Sequence, residues 1–206
     1  MLKIMLIRHG ETFWNLEGKL QGNSDIHLAP DGLHQARLLA AHCPFEIFDA
    51  VYSSDLTRAK TTALFLAQKF NLEVRIIPEI REISFGDWEG QYIRELAEKY
   101  PEDMEKFFKE PDKLRVNNAE PFIETQGRAF SAFQKIVEES HAKKFQHIVI
   151  VAHGAINRLI LCKILEIPVR NMWKFAQFNT AVNIIREDDG NFTVESVNGT
   201  AHLHNF

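Results

Sequence analysis

Apolar residues along the chain fall into two alternating patterns. Short runs rich in apolar residues predict strands, and the first of them, which is almost continuously apolar, predicts a strand buried on both faces of a sheet. Longer segments, in which apolar residues recur every three or four positions, predict amphipathic helices. The strands are predicted at residues 3–7, 50–54, 73–78, 147–152, 181–186 and 192–197. The helices are predicted at residues 30–43, 57–70, 92–100, 124–144 and 155–165.

The order of these elements predicts an α/β fold. Strands alternate with helices over most of the chain, which is typical of βαβ units and a mainly parallel central sheet. We therefore expect a three-layer α/β/α arrangement in a single domain of residues 1–206. The last two strands are separated by the turn-forming sequence "EDDGN" and predict a hairpin. Residues 91–125, approximately, are predicted to form a small helical cap insertion. This segment is charged and contains several prolines.

Composition and charge argue against several classes of protein. The 206 residues are 45% hydrophobic and 25% charged, as in ordinary globular proteins. A formal net charge of −4 offers no general basic field for nucleic acid or an anionic membrane. Arg8 interrupts the first apolar run too early for a signal peptide or a membrane span, so a cytoplasmic location is expected. Cys43 and Cys162 are too few for a disulfide framework and are interpreted as inert core thiols.

Two of the predicted strands end in the same dipeptide. "LIRHGET" (6–12) and "VIVAHGA" (149–155) each lead an apolar strand into His-Gly, and the first adds an arginine. In an open α/β sheet, ligands bind beyond the carboxyl ends of the strands, and glycine lets the backbone approach a ligand closely. One such histidine alone is better interpreted as a satisfied polar residue at a strand end. Two at equivalent positions, His9 and His153, favour a functional site that includes Arg8.

Two further polar residues follow other predicted strands. Arg58 lies in the first turn of the helix after the second strand, and Glu82 follows the third strand in "REISFGDWEG". Considered alone, Arg58 is better interpreted as an ion-pair partner of Asp55, and Glu82 as an exposed loop carboxylate. Together with the His-Gly corners, they place two guanidinium groups, two imidazoles and one carboxyl group at one sheet edge. That combination suits a phosphoryl group.

The chemistry of these groups explains why they suit a phosphoryl group. Arginine can grip phosphate oxygens with two donors at once and is always charged. Neighbouring cations disfavour the protonated form of an imidazole, which lowers its pKa and leaves a nucleophile that can attack phosphorus. A carboxylic acid can donate the proton that the leaving alkoxide needs, and the resulting carboxylate can later activate water. The second imidazole can donate to a non-bridging oxygen as charge redistributes.

Five motifs resemble one known family: "LIRHGETFWN", "QGNSDIHLAPDGLHQA", "YSSDLTRAKTTA", "REISFGDWEG" and "VAHGAINR". They occur in the order found in the histidine phosphatase superfamily, in the branch similar to cofactor-dependent phosphoglycerate mutases. The resemblance implies a phosphoglycerate mutase-like fold with no metal and no cofactor. It implies that His9 is the phosphorylated nucleophile and Glu82 the proton donor. The implied phosphate-binding residues are Arg8, Asn15, Gln21, Gly22, Arg58 and His153.

Three details of these motifs bear on the reaction. Related mutases usually carry "TGW" where this chain has "QGN", and "HGNS" where it has "HGAI". The sequence "FGDWEG" is the form usual in the small phosphatases of the branch. The resemblance therefore predicts a phosphomonoester hydrolase that acts through a phosphohistidine on a small phosphorylated metabolite. The alternative is a 2,3-bisphosphoglycerate-dependent phosphoglycerate mutase, and a minor alternative is a non-catalytic phosphate-binding or interaction module.

The sequence leaves the substrate open. The branch includes α-ribazole phosphatases, with phosphoserine and sugar-phosphate phosphatases close by, and a broad specificity is equally compatible. A small phosphorylated metabolite is the expected partner, nucleic acid and membrane are not, and a homodimer is left open. Five aromatic residues are candidates for a partly apolar mouth, although the first of them is favoured as core: Phe107, Phe108, Phe122, Trp88 and Trp14.

Three cations of the predicted cap could meet a second anionic group of the substrate. These are Lys109, Lys113 and Arg115, for which a solvated charged face is the favoured interpretation. Ala29 stands where a helix-capping Thr or Ser is common, which costs the next helix about 1 kcal/mol unless a neighbour caps it.

A metal-dependent hydrolase is the rival enzymatic interpretation. It would make His9, His153 and nearby carboxylates the metal ligands, but no ligand spacing supports it. Two arginines beside the site would also repel the cation. This rival predicts that a chelator abolishes activity, whereas a phosphohistidine mechanism predicts that activity survives.

Overall fold

A six-stranded mixed sheet forms the centre of the molecule. The computed structural model describes residues 1–204. The strands are β1 (Leu2–Arg8), β2 (Ala50–Ser53), β3 (Val74–Ile76), β4 (His147–Ala152), β5 (Val182–Asp188) and β6 (Asn191–Gly199). In the order β3-β2-β4-β1-β5-β6, the first four are parallel, and β5 and β6 each run antiparallel to the preceding neighbour. The predicted mainly parallel sheet with a terminal hairpin is therefore confirmed.

Helices cover both faces of this sheet. The α-helices of the described chain are α1 (Phe13–Glu17), α2 (Pro30–Ala41), α3 (Thr57–Phe70), α4 (Ile93–Lys99), α5 (Pro101–Lys109), α6 (Phe122–Ala142) and α7 (Gly154–Ile164). Side chains alternate along β1, so that Met5 and Ile7 pack with α2 and α3. Ile4 and Leu6 pack with α6 and α7 on the other face. This confirms the predicted three-layer α/β/α architecture, in which β1, β2 and β4 are buried on both faces.

A third apolar cluster lies beside the sheet and joins α4 and α5 to α7. Leu96, Phe107 and Phe122 of this cap cluster pack with Leu159 of α7. Neither α1 nor α5 is among the predicted helices. α5 begins with Pro101 as its first helical residue, where the missing N–H is not needed and the fixed φ favours the helix. Pro101 therefore begins a helix within the charged segment that contains several prolines.

The pairing of β1 with β4 positions the two His-Gly corners. Arg8 stands opposite Ala152 in the parallel ladder. The next residue on each strand, His9 and His153, consequently leaves the sheet beside the other at its carboxyl edge. The backbone N–H of His9 also donates to the carbonyl oxygen of Ala152 over 3.1 Å.

The loop after β1 lies directly against the start of α2. A Cβ atom on Gly32 would lie 2.0 Å from the backbone oxygen of Glu11, and one on Gly10 would lie 2.6 Å from that of Gly32. Both positions therefore exclude a side chain, because the opposing groups are backbone. Ala29 is the N-cap residue of α2 and provides no side-chain cap, as its side chain predicts, and Pro30 occupies the first helical position.

Two remaining expectations concern the state of the cysteine thiols and the presence of membrane-spanning helices. Cys43 and Cys162 form no disulfide. Cys162 is fully buried, and burial raises the pKa of its thiol to about 11, so it stays protonated and inert. Within residues 1–204, no helix combines the length and the apolar character that crossing a bilayer requires.

Candidate active site

The two His-Gly corners meet at the carboxyl edge of the sheet. His9 follows β1 and His153 follows β4, and the centroids of their rings are 5.2 Å apart. Both side chains are buried. Gly154 is the first residue of α7, so the N–H groups of that helix N-terminus, which have no partner within the helix, face the same edge. The structure thus brings together the two histidines that the motifs predict.

A hydrogen bond selects the tautomer of His9. Its Nδ1 lies 2.7 Å from the carbonyl oxygen of Gly10. Because a carbonyl oxygen can only accept, Nδ1 carries the proton of the neutral ring and the lone pair is on Nε2. The His9 carbonyl in turn accepts the backbone N–H of Thr180 and the amide of Asn179, each over 3.2 Å. The imidazole is therefore held in a neutral form with one nucleophilic nitrogen.

Burial and neighbouring cations keep both histidines neutral. Burial lowers the pKa of His9 well below its ordinary value of 6.5, and Arg58 and Arg8 lower it further. For the pKa of His153, burial again has the largest effect, followed by Arg58 and His9. Both ring nitrogens of His153 are buried without a hydrogen-bond partner among residues 1–204. Such a group is costly, so a ligand that enters beside His9 and bonds His153 would relieve that cost.

We expect both imidazoles to stay unprotonated where an ordinary histidine is charged. Because the pKa of each lies well below 6.5, neither should take up a proton as the pH falls from about 7.5 to about 6. Nitrogen NMR of labelled imidazoles, assigned with His9→Ala and His153→Ala variants, measures this directly. A resonance of either residue that titrates with a midpoint at or above 6.5 would contradict the expectation.

Arg58 contacts the loop that follows α1 and does not pair with Asp55. Its guanidinium is fully buried and donates to the carbonyl oxygens of Gly22 and Ser24 over 2.7 Å each. Asp55 pairs instead with Arg81, so the ion-pair interpretation of Arg58 is wrong. Burial lowers the pKa of Arg58 to about 10, which leaves the group charged at neutral pH. Its Nε has no partner in the described chain.

Glu89 organises the loop that holds Arg58. Its carboxylate accepts backbone N–H groups from Asn23 (2.9 Å), Ser24 (3.0 Å) and Phe85 (3.1 Å). The loop needs glycine at Gly22, where φ is +54° and a Cβ would lie 2.1 Å from Glu89 Oε1. Glu89 is not among the predicted site residues, although it belongs to the motif "REISFGDWEG". Glu89 therefore connects the segment that contains Glu82 to the loop whose carbonyl groups bind Arg58.

Arg8 is anchored by the C-terminal part of the chain. Its Nη1 donates to the carbonyl oxygen of Gln177 over 2.6 Å, whereas its Nε is buried without a partner among residues 1–204. No carboxylate in that range forms an ion pair with Arg8 or Arg58. Two unneutralised guanidinium groups therefore face one small volume, which favours a doubly charged anion.

Glu82 lies at the N-terminus of α7. It is only 9% exposed, so its interpretation as an exposed loop carboxylate is wrong. Oε1 accepts the backbone N–H groups of Ile83 (3.1 Å) and Ile156 (3.3 Å), and Oε2 accepts that of Ala155 (3.2 Å). A carboxyl group has about four acceptor positions. Oε2 therefore keeps one that can hold a proton for a ligand in the adjoining pocket.

Asn15, Gln21 and Gly22 line the same pocket as Arg8, His9, Arg58 and Glu82. Asn15 Oδ1 accepts the backbone N–H of Thr12 (3.1 Å) and the amide of Asn179 (3.2 Å), which turns its own NH₂ group away from both. Gln21 Oε1 lies 2.9 Å from the hydroxyl of Thr12. The predicted site residues thus gather at one place. His153 is not among the residues that line the pocket, but the centroid of its ring lies 5.2 Å from that of His9.

The pocket has a volume of about 210 Å³ and one apolar wall. The aromatic residues of this wall are Phe85, Phe107, Phe108 and Trp173. Of the aromatic residues predicted for the mouth, Phe107 and Phe108 are therefore placed correctly, and Phe107 is also core. Trp88 and Phe122 are buried in the cap cluster, and Trp14 does not line the pocket.

The three cap cations lie away from the pocket. Lys109 pairs with Glu105 and Lys113 with Glu110, and Arg115 donates to backbone carbonyls. All three are exposed, which confirms the solvated charged face favoured for them.

Two cations outside the predicted set, Lys19 and Arg158, do line the pocket. A signal for Arg158 was present, because it ends the motif "VAHGAINR" one helical turn after Gly154. Lys19 stands in a loop with no comparable signal.

These groups together can bind and transfer an anion. A neutral imidazole with a free lone pair lies beside two unneutralised guanidinium groups, and a carboxyl group at a helix N-terminus lines the same pocket. No cluster of three or more His, Cys, Asp or Glu side chains that could hold a metal ion occurs in residues 1–204.

Comparison with known proteins adds three findings on sequence. Residues 4–200 match the family model of the histidine phosphatase superfamily (branch 1). Phosphoserine phosphatase 1 of Hydrogenobacter thermophilus is 34% identical over 206 residues, which cover 100% of this chain and 96% of that protein. The adenosylcobalamin/alpha-ribazole phosphatase of Escherichia coli is 34% identical over 179 residues, which cover 84% of each chain.

A solved structure shows the same similarity in three dimensions. It is a crystal structure of a phosphoserine phosphatase mutant from Entamoeba histolytica in complex with phosphoserine, with a TM-score of 0.86 at 33% identity. The superposition covers 98% of this chain and 100% of that one.

Proposed function

The chain belongs to branch 1 of the histidine phosphatase superfamily, and we propose that it hydrolyses small phosphate esters through a phosphohistidine formed at His9. One observation carries this assignment of His9. The bond between Nδ1 and the Gly10 carbonyl leaves the lone pair on Nε2, beside two guanidinium groups that no carboxylate of the described chain neutralises.

In the proposed first step, Arg8 and Arg58 bind the phosphoryl oxygens and His9 Nε2 attacks phosphorus. The bond from phosphorus to the ester oxygen breaks, and the proton on Glu82 Oε2 passes to the departing alkoxide. His153 donates its ring N–H to a non-bridging oxygen, which supplies a partner for one of its two buried nitrogens. The products are the free alcohol and a phosphohistidine.

In the proposed second step, the Glu82 carboxylate takes a proton from water as the water oxygen attacks phosphorus. The bond from phosphorus to Nε2 breaks, which restores the lone pair of His9 and releases inorganic phosphate. Glu82 is again protonated for the next turnover. The same carboxyl group thus serves as the general acid in the first step and as the general base in the second.

Hydrolysis is favoured over the mutase alternative. The relatives described above are named phosphatases, and this agrees with the "QGN", "HGAI" and "FGDWEG" sequences of this chain. A mutase must keep water from the phosphohistidine until the second substrate binds, whereas a phosphatase admits it.

The pocket limits the size of the substrate. Its volume of about 210 Å³ lies below the roughly 300–1,000 Å³ typical of pockets for drug-sized ligands. We therefore propose an ester the size of a phosphorylated amino acid or three-carbon acid in preference to α-ribazole phosphate. The phosphatases of H. thermophilus and E. histolytica are named for an ester of that size, phosphoserine.

A phosphate-release assay tests this proposal. The full chain is incubated with 3-phosphoglycerate, L-phosphoserine or α-ribazole phosphate in the presence of a chelator. We expect inorganic phosphate from the first two, more slowly from the third, at rates that the chelator does not change. Isomerisation of 3-phosphoglycerate with added 2,3-bisphosphoglycerate and no phosphate release would support the mutase. Loss of activity in the chelator would support the metal-dependent hydrolase.

Three earlier expectations stay predictions. These are the cap role of residues 91–125 within a single domain, the homodimer and the cytoplasmic location. The position of Phe107 and Phe108 on the pocket wall supports the first of them.

A further inference from the structure

Arg158 is a third arginine at the pocket, and most of its donors are unused. Its Nε donates to the carbonyl oxygen of Phe175 over 2.7 Å, and its Nη1 to that of Gly154 over 3.0 Å. A guanidinium has five N–H donors, so further donors remain for another partner. The group lies 5.1 Å from the ring of Trp173, which holds it at the pocket wall. Burial lowers its pKa to about 10, so it is charged at neutral pH.

Arg158 adjoins the phosphate-binding Arg8. A Cβ on Gly154 would lie 3.3 Å from Arg158 Nη1 and 3.4 Å from Arg8 Nε. Both cations therefore lie against the same glycine at the start of α7, and their charges repel one another. An anion with two negatively charged groups would relieve this repulsion by bonding each arginine.

The other charges around the pocket narrow the choice of ligand. Arg8 and Arg58 together balance a phosphoryl dianion, which leaves Arg158 without a counter-charge. Lys19, the other additional cation, is already paired with Glu17 at 2.6 Å. Glu82 is the only carboxylate among the described residues that line the pocket, and the proposed mechanism uses its proton. The pocket therefore offers a partner for a substrate carboxylate but none for a substrate ammonium group.

We propose that Arg158 binds a carboxylate of the substrate, which makes the enzyme prefer phosphorylated hydroxy acids to neutral phosphate esters. The enzyme also prefers them to phosphorylated amino acids, because the described pocket lining has no spare carboxylate to pair with an ammonium group. This inference rests on the proposed function, since it assigns the part of the substrate beyond the phosphoryl group. The short carbon chain lies against the apolar wall of Phe107 and Phe108.

Matched esters test the role of Arg158. sn-Glycerol 3-phosphate replaces the carboxylate of 3-phosphoglycerate with a neutral group, and L-phosphoserine replaces its hydroxyl with ammonium. We expect kcat/KM for 3-phosphoglycerate to exceed that for either analogue by about 10- to 100-fold, the factor typical of a hydrogen bond between charged groups. Arg158→Gln should lower the preference over sn-glycerol 3-phosphate by a similar factor, mainly through KM, and Arg158→Lys should restore part of it. The preference over L-phosphoserine should not change, because L-phosphoserine keeps the carboxylate.

Lys109→Gln is the matched control, because it removes a cap cation that is exposed and paired with Glu105. It should keep the preference of the wild type. An unchanged preference over sn-glycerol 3-phosphate in a folded Arg158→Gln variant would overturn the proposal, and so would a wild type whose kcat/KM for L-phosphoserine equals that for 3-phosphoglycerate.

Two non-hydrolysable competitors make the test independent of any variant. Against p-nitrophenyl phosphate turnover by the wild type, 3-phosphonopropionate should inhibit with a constant about 10-fold below that of propylphosphonate. Equal constants would overturn the carboxylate subsite alone. A wild type that releases phosphate from no ester, p-nitrophenyl phosphate included, would instead contradict the proposed function.

Discussion

Replacing His9 with alanine is expected to lower the rate of phosphate release by at least about 10⁴-fold, because the variant has no nitrogen to accept the phosphoryl group. Arg8 and Arg58 remain, so KM should change much less than kcat. Rapid acid-free quenching of the wild type with a ³²P-labelled ester should trap protein-bound phosphate that is labile in acid and stable in alkali. His9→Ala should trap none.

His147→Ala is the matched control for this prediction. His147 begins β4, at the opposite end of the strand from His153, so its loss should leave turnover and trapped phosphate unchanged. The trapping experiment on the wild type is decisive even if His9→Ala folds poorly. A wild-type enzyme that turns over the labelled ester and never carries acid-labile phosphate would refute the covalent mechanism.

Glu82→Gln is expected to slow hydrolysis of alkyl phosphates by about 10²- to 10⁴-fold, the usual contribution of a general acid. p-Nitrophenolate leaves without a proton, so the rate with p-nitrophenyl phosphate should fall by less than about 10-fold. Glutamine keeps an acceptor oxygen for the N–H groups of Ile83 and Ile156 and puts an NH₂ group where Oε2 held the proton. The two rate losses are measured on the same preparation.

Glu89→Gln provides the comparison for Glu82. Glu89 also accepts several backbone N–H groups, but it lies outside the pocket and holds the loop that Arg58 contacts. Its replacement should therefore reduce both rates by the same factor, because both esters need Arg58 in place. If Glu82→Gln likewise slows both esters equally, Glu82 supports the site and does not donate the proton.

Buried donors that lack a protein partner favour binding of a phosphoryl group at the site. The ring nitrogens of His153 and the Nε atoms of Arg8 and Arg58 are buried without partners within residues 1–204. Each such group costs free energy until it is bonded. A phosphoryl group can accept from the two Nε–H groups and from the single ring N–H of neutral His153, and it would recover this part of the cost.

Sequence patterns alone were enough to predict the layers of the fold and the chemical groups at its edge. The buried strands β1 and β4 are almost continuously apolar, and both end in His-Gly. Strand and helix periods depend on neighbouring residues along the chain, and parallel strands place their ends at a common edge. His9, His153, Arg8 and the family motifs could therefore be recognised without coordinates.

The partners of these groups follow only from contacts between distant parts of the chain. Asp55 is the carboxylate closest to Arg58 in sequence, yet Arg58 donates to the carbonyl oxygens of Gly22 and Ser24. Glu82 reaches the N-terminus of α7 more than 70 residues later, at Ala155. Arg158 becomes a pocket residue because Phe175 and Trp173 fold against it. Spacing along the chain records none of these distances, because hydrogen-bond partners and electric fields depend on separation in space.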